Sequence, residues 1–189
     1  WFFLRSVIGL DSERAWQLRN YVFDKIQNGT MNETVRKNFS ESLAKALSGL
    51  DTEKSREMIE KISKFATVLS EVGSKDAAHI IPPYQWIELM SAELKAGSSY
   101  VIAEAREAGN VGIYRGSGEV REGLVQEILT KIPAEKILWE APQKAQQLYF
   151  LELVGCNVNL GNIAPSEVIP LETMRIGLRG DTFDLYLNK

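Results

Sequence analysis

The sequence predicts an α/β fold, four strand–helix units forming a parallel sheet covered by helices, behind an all-helical N-terminal segment. Three observations carry that reading. From residue 66 onward, four short apolar β-runs are each followed by an apolar stripe at helical spacing. The first 65 residues offer no such β-run, only helical stripes. The charge balance shifts at the same place: residues 1–65 hold 11 Lys/Arg and 9 Asp/Glu, whereas residues 66–189 hold 11 and 16.

In the first region Ala15, Leu18, Val22 and Ile26 recur at helical spacing, as do Leu43 and Leu47, and Met58, Ile59, Ile62 and Phe65 make a third stripe. Gly9-Leu10-Asp11-Ser12-Glu13-Arg14 returns forty residues later as Gly49-Leu50-Asp51-Thr52-Glu53-Lys54. That spacing matches a HEAT-like helical repeat, and shared capping chemistry alone accounts for it equally well. Asn-x-Ser/Thr triplets begin at Asn28, Asn32 and Asn38, but Trp1-Phe2-Phe3-Leu4 is too short for a signal core, so chance polar composition is the better account.

The strand–helix units follow in order. Thr67–Ser70 reads as a strand running to Glu71-Val72-Gly73, before a helix striped by Trp86, Ile87, Met90 and Leu94 that closes at Gly97. Tyr100–Ala103 is the next strand, and Leu124, Val125 and Ile128 line the helix after it, stopped by Pro133. Lys136–Trp139 is the third, with Ala145, Leu148 and Leu151 striping its helix. Asn157–Leu160 is the fourth, before a helix opened by Pro165 that carries Val168, Leu171 and Met174.

Composition excludes several functions. No stretch approaches the ~18 consecutive apolar residues of a membrane-spanning helix. The single Cys156 forms no internal disulfide and the single His79 makes no multi-histidine metal site, which points to a reducing, cytoplasmic setting and to a hard, oxygen-bound metal. A net charge of −3 without a basic cluster argues against nucleic acid. A small ligand is the expectation.

Parallel α/β sheets bind ligands beyond the carboxyl ends of their strands. Glu71, Glu104 and Glu140 end the first three strands and are expected to converge on one rim, with Lys75, Arg106 and Asn162 around them. Clustered carboxylates repel, so either Mg²⁺ or neighbouring cations must offset them. The fourth strand runs through Gly161-Asn162 into a helix N-terminus, which suits an anion. Arg175 and Arg179 either add charge to a phosphate site there or pair with Glu172 and Asp181 as a surface network. Cys156 and His79 read as structural.

Five blocks of residues then carry a resemblance: Leu69-Ser70-Glu71-Val72-Gly73-Ser74-Lys75-Asp76, Ile102-Ala103-Glu104-Ala105-Arg106-Glu107-Ala108-Gly109, Glu140-Ala141-Pro142-Gln143-Lys144, residues 157–163, and residues 171–182. Together they resemble the second half of the phosphosulfolactate synthase family. The resemblance implies the C-terminal half of a (β/α)₈ barrel over residues 54–189, with residues 1–53 a separate helical segment. It implies addition of sulfite to phosphoenolpyruvate with Mg²⁺, on the route to coenzyme M or related sulfonates. Lys75 would be the proton donor, with Glu71 and Glu104 also in the catalytic group. Glu71, Glu104 and Glu140 would hold Mg²⁺, while Arg106, Asn162 and Arg179 would bind phosphate or carboxylate, with Arg175 the further candidate named above. Four further strand–helix units of the family have no counterpart in this sequence. The alternative is a non-catalytic half-barrel that binds anions or partners. Unpaired edge strands favour a homo-oligomer under both readings.

Overall fold

The computed structural model describes residues 52–64, 66–76 and 78–187. The helical stripes, repeat and triplets read in residues 1–51 lie outside the described residues. The chain divides into two compact units, residues 1–65 and 66–189. The first contributes one described helix, α1 (Thr52–Ile62), which carries Glu53 in its first turn and Lys61 in its last, each opposing the helix dipole.

The second unit alternates strand and helix. Its elements are β1 (Leu69–Val72), α2 (Pro83–Lys95), β2 (Tyr100–Ala103), α3 (Glu122–Leu129), β3 (Ile137–Glu140), α4 (Lys144–Val154), β4 (Asn159–Gly161), α5 (Val168–Arg175) and the single turn α6 (Asp184–Leu187). The strands form one sheet in the order β1-β2-β3-β4, and every pairing is parallel. Sequential parallel strands joined by helical crossovers are the half-barrel expected from the sequence.

Side-chain alternation gives the sheet two faces. Val101, Ala103, Ile137 and Trp139 are buried in the core that the helices complete. Trp139 stacks on Phe150 of α4, centroids 4.8 Å apart, and Trp86 and Met90 come from α2 at i, i+4 spacing. At the foot of β1 the Ser98 hydroxyl donates to Ser70 Oγ at 2.6 Å, so a buried polar pair is satisfied internally. The opposite face carries Leu69, Glu71, Ile102, Leu138 and Asn159, with Glu71 level with Ile102, and Leu138 with Asn159.

Several boundaries moved for local reasons. Lys136 belongs to a 3₁₀ turn (Ala134–Lys136), so β3 starts at Ile137 and takes Glu140 into the strand. On α4 the expected stripe is displaced: Ala145 is exposed and Leu148 half-buried, while Gln146, Gln147, Phe150 and Leu151 are buried. Two glutamines turn inward because carbonyls of the loops after β2 and β3 need donors, a demand that apolar periodicity does not register.

The 18 residues between β2 and α3 fold back beneath their own strand end. Ile113 N–H donates to the Glu104 carbonyl at 3.2 Å. This return needs Gly112, at φ +64°, because a Cβ there would run into the Glu104 carbonyl oxygen. Gly112→Ala is therefore expected to destabilise the protein by roughly 3 kcal/mol, while Gly116→Ala, whose Cβ meets open space, stays within about 0.5 kcal/mol of the parent in urea denaturation.

Candidate active site

Strand parity brings the acidic residues together. Glu71 lies opposite Ile102, and Glu104 is two residues further along the second strand, so both project from the same face. The Glu104 N–H donates to Val72 O at 3.0 Å, extending the ladder one residue beyond β2. Glu140 lies opposite Gly161, and the Trp139–Ala103 pairing puts it beside Glu104.

Beyond β1 the chain turns at Gly73, φ +135°. A Cβ there would sit 2.5 Å from Glu104 Cβ and 2.8 Å from Trp86 Cη2, so glycine is what lets this turn close onto the second strand. The turn brings Lys75 back over the rim. Its Nζ lies 3.3 Å from Glu71 Oε1 and 3.4 Å from Glu104 Oε2. Ser74 and Asp76 brace the loop, with Asp76 N–H donating to Ser74 Oγ at 3.1 Å and Ala78 N–H to Asp76 Oδ1 at 2.9 Å.

The three carboxyl groups differ in surroundings. The Glu104 side chain is 2% exposed, whereas that of Lys75 is 55% exposed. Burial pushes the Glu104 carboxyl up to about 8, helped by its hydrogen bond to Glu71 and by the charges of Glu71 and Glu140, with Lys75 opposing. Burial would lower the Lys75 ammonium, but the charges of Glu71 and Glu104 outweigh it and raise it above the ordinary lysine value. Glu140 is raised by burial too, while the Ala105 N–H, donating to its Oε2 at 2.8 Å, favours the charged form. The next amide, Arg106 N–H, donates to Glu104 Oε1 at 2.8 Å. Consecutive amides thus clamp the carboxyl groups of two neighbouring strands.

The expected cation set divides. Arg106 and Asn162 sit just past their strand ends, both in the left-handed region at φ 58°, which for arginine is unusual and is held by the Glu104 bond and by Gly109 N–H donating to Arg106 O at 3.1 Å. Arg179 pairs with Asp181 at 3.5 Å, and Asp181 with Lys144 in the first turn of α4; the surface-network alternative holds there. Arg175 is not brought to the rim. Its guanidinium donates to Cys156 O and, at 2.8 Å, to Val158 O, both before β4 begins, so it closes the amino end of that strand and stands away from the rim. Gly161 also has a packing reason, since a Cβ there would run into Leu138 Cδ2.

The expected three-carboxylate set is not assembled here. Among the described residues no group of three His, Cys, Asp or Glu is arranged to hold a metal ion. Glu140 is turned to the Ala105 amide, which leaves Glu71 and Glu104 as a two-carboxylate seat. Glu104 Oε2 is buried, and what it faces is the Lys75 ammonium at 3.4 Å, the position a cation would take. One or two carboxylates completed by substrate oxygens are ordinary for Mg²⁺, so the pair fits such an ion without Glu140.

Sequence reasoning missed the residues that support this rim. Tyr114 donates its hydroxyl to Glu140 O at 2.6 Å, and burial, chiefly, keeps that hydroxyl protonated. Gln146 donates to Gly109 O at 2.8 Å and Gly118 O at 3.0 Å, and Gln147 to Ala141 O at 3.2 Å. The Gln-Gln pair opening α4 was the legible signal, while Tyr114 left none.

A family model described as (2R)-phospho-3-sulfolactate synthase (ComA) matches residues 42–181. The chain belongs to the phosphosulfolactate synthase family. It is 46% identical over 137 residues to a phosphosulfolactate synthase of Methanothermobacter thermautotrophicus, covering 70% of this chain and 53% of the relative. It is 46% identical over 121 residues to a phosphosulfolactate synthase of Bacillus subtilis, covering 62% and 48%. A third, from Methanocaldococcus jannaschii, is 44% identical over 119 residues. The chain spans about half the length of the curated relatives it matches. The family match opens upstream of Lys54, where the sequence blocks had placed the start of the resemblance.

In this family member the buried acid carries a pH signature. Glu104 titrates in the unfolded chain near 4.5 and in the folded one near 8, so the folded state binds the extra proton between those values and its stability falls as pH rises through that window. With a chelator present, Glu104→Gln is expected to flatten that decline in urea denaturation at pH 5 and pH 8. An unchanged slope would remove Glu104 as its source.

Proposed function

We propose that this rim adds sulfite to phosphoenolpyruvate to give phosphosulfolactate. The observation that carries the reading is the Lys75 ammonium bridging Glu71 and Glu104 at the carboxyl ends of parallel strands. The sulfite lone pair forms a carbon–sulfur bond to the methylene carbon, and the double-bond pair moves toward the substrate carboxylate. A proton must then reach the neighbouring carbon, and the phosphate ester stays intact.

Lys75 is the proton donor in this proposal. Its raised affinity for protons keeps it an ammonium at neutral pH, and the carbon of an aci-carboxylate is basic enough to take a proton from it. Lys75, 55% exposed, regains that proton from solvent. Arg106 and Asn162 bind phosphate or carboxylate from the second and fourth strand ends. Arg179 approaches the first turn of α4 through Asp181 and Lys144 and binds phosphate only by leaving that network. Glu71 and Glu104 would hold Mg²⁺, whose chemistry there would be to offset charge on the substrate carboxylate.

The proposal includes assembly as a homo-oligomer, because among the described residues β1 and β4 each pair on one side only. It places the protein in the cytoplasm, in keeping with its one free cysteine; among the described residues no helix is long and apolar enough to cross a membrane. Size exclusion with light scattering is expected to give a mass above the 21.2 kDa of one chain, and a monomer at working concentration would remove the assembly.

Sulfite-dependent consumption of phosphoenolpyruvate with Mg²⁺ tests the chemistry. Lys75→Ala should lower kcat by about 100-fold or more, and an undiminished rate would remove Lys75 as donor. No turnover by the parent chain favours the non-catalytic binding module instead.

A further inference from the structure

We propose that Gln146 is a positioning residue for the rim, acting through the Arg106–Gly109 turn on the Glu104 carboxyl group; this rests on the synthase reading above. Gln146 sits in the first turn of α4, away from the carboxylate cluster, and is 1% exposed. A fully buried amide must spend its hydrogen bonds inside the protein, and all of those it makes go to one loop and its own helix cap. Its Nε2 donates to Gly109 O and Gly118 O, and its Oε1 accepts from Gln143 N–H at 3.1 Å.

The two glycines whose carbonyls it holds close two successive turns through their own amides. Gly109 N–H donates to Arg106 O, and Gly118 N–H to Arg115 O at 2.9 Å. The first turn keeps Arg106 in its left-handed conformation, which is what directs the Arg106 amide at Glu104 Oε1. Gly109 shows how tight the joint is, since a Cβ there would lie 2.6 Å from both polar atoms of the Gln146 amide. The relay therefore runs from Gln146 to Gly109, to Arg106, to Glu104. Tyr114, held between the same two turns, anchors the loop to the Glu140 carbonyl.

Gln146→Met keeps the length and burial of the side chain and removes both donors, which makes it the direct test in the full chain. Hydrogen exchange read by NMR should show the Arg106 amide at least about 10-fold less protected in the variant, with Met90 and Ile128 amides unchanged; equal protection of Arg106 would overturn the proposal. A merely structural role would loosen all of these amides together, and that outcome also overturns it. In an active chain kcat should fall about 10-fold with KM changed less than about threefold. If the variant does not fold, the parent decides: Arg106 and Gly109 amides should exchange at a common rate, and Arg106 exchanging about 10-fold faster than Gly109 would overturn the relay. Absence of turnover in the parent counts against the synthase reading alone, because the exchange result does not depend on it.

Discussion

A carboxyl group closed off from water beside a second carboxyl group sets the terms for the rest of this molecule. Carrying a bare carboxylate into the interior costs several kcal/mol, and a neighbouring negative charge adds to that. Glu104 is in that position, and three devices offset the cost: a proton retained to about 8, the Lys75 ammonium 3.4 Å away, and the Arg106 amide. The last two constrain the backbone. The ammonium requires the tight Gly73 turn. The amide requires arginine in a left-handed conformation. The loop that supplies it requires Gly112 under the strand end.

The supports for the rim come from unlike sources. Lys75 returns from the loop after β1, whereas Tyr114 and Gln146 tie the loop after β2 to the segment around β3 and α4. A ligand at the strand ends would thus meet side chains whose backbones are cross-braced by hydrogen bonds among three consecutive units. Such bracing holds groups near productive geometry without reorganisation at the moment of reaction.

Much of this was legible in the residues themselves, for reasons that differ by element. Tyr100–Ala103 is apolar at every position, and a strand buried among helices has that composition; its bounds in the structure are those read from the sequence. Glu71, Glu104 and Glu140 were readable as a set because each follows an apolar run, and a parallel sheet brings such positions to one end. What was not legible depends on contacts distant in sequence. Nothing local distinguishes Glu140, turned to the Ala105 amide, from Glu71, turned to Lys75. Arg175 reads as a free cation until the fold places it against the carbonyls before β4. Gln146 of α4 answers loop carbonyls nearly thirty and forty residues away, a demand that no periodicity encodes.

The bridge itself is open to direct measurement. Lysine labelled at Cε allows Lys75 to be titrated by NMR, with Lys75→Arg assigning the signal. We expect Lys75 to titrate above the ordinary 10.5 of lysine, because the charges of Glu71 and Glu104 outweigh its partial burial, and to move down when both carboxyl groups are replaced by glutamine. A Lys75 signal titrating at or below the ordinary value, unmoved by that double replacement, would contradict the ion pair on which the rim is built.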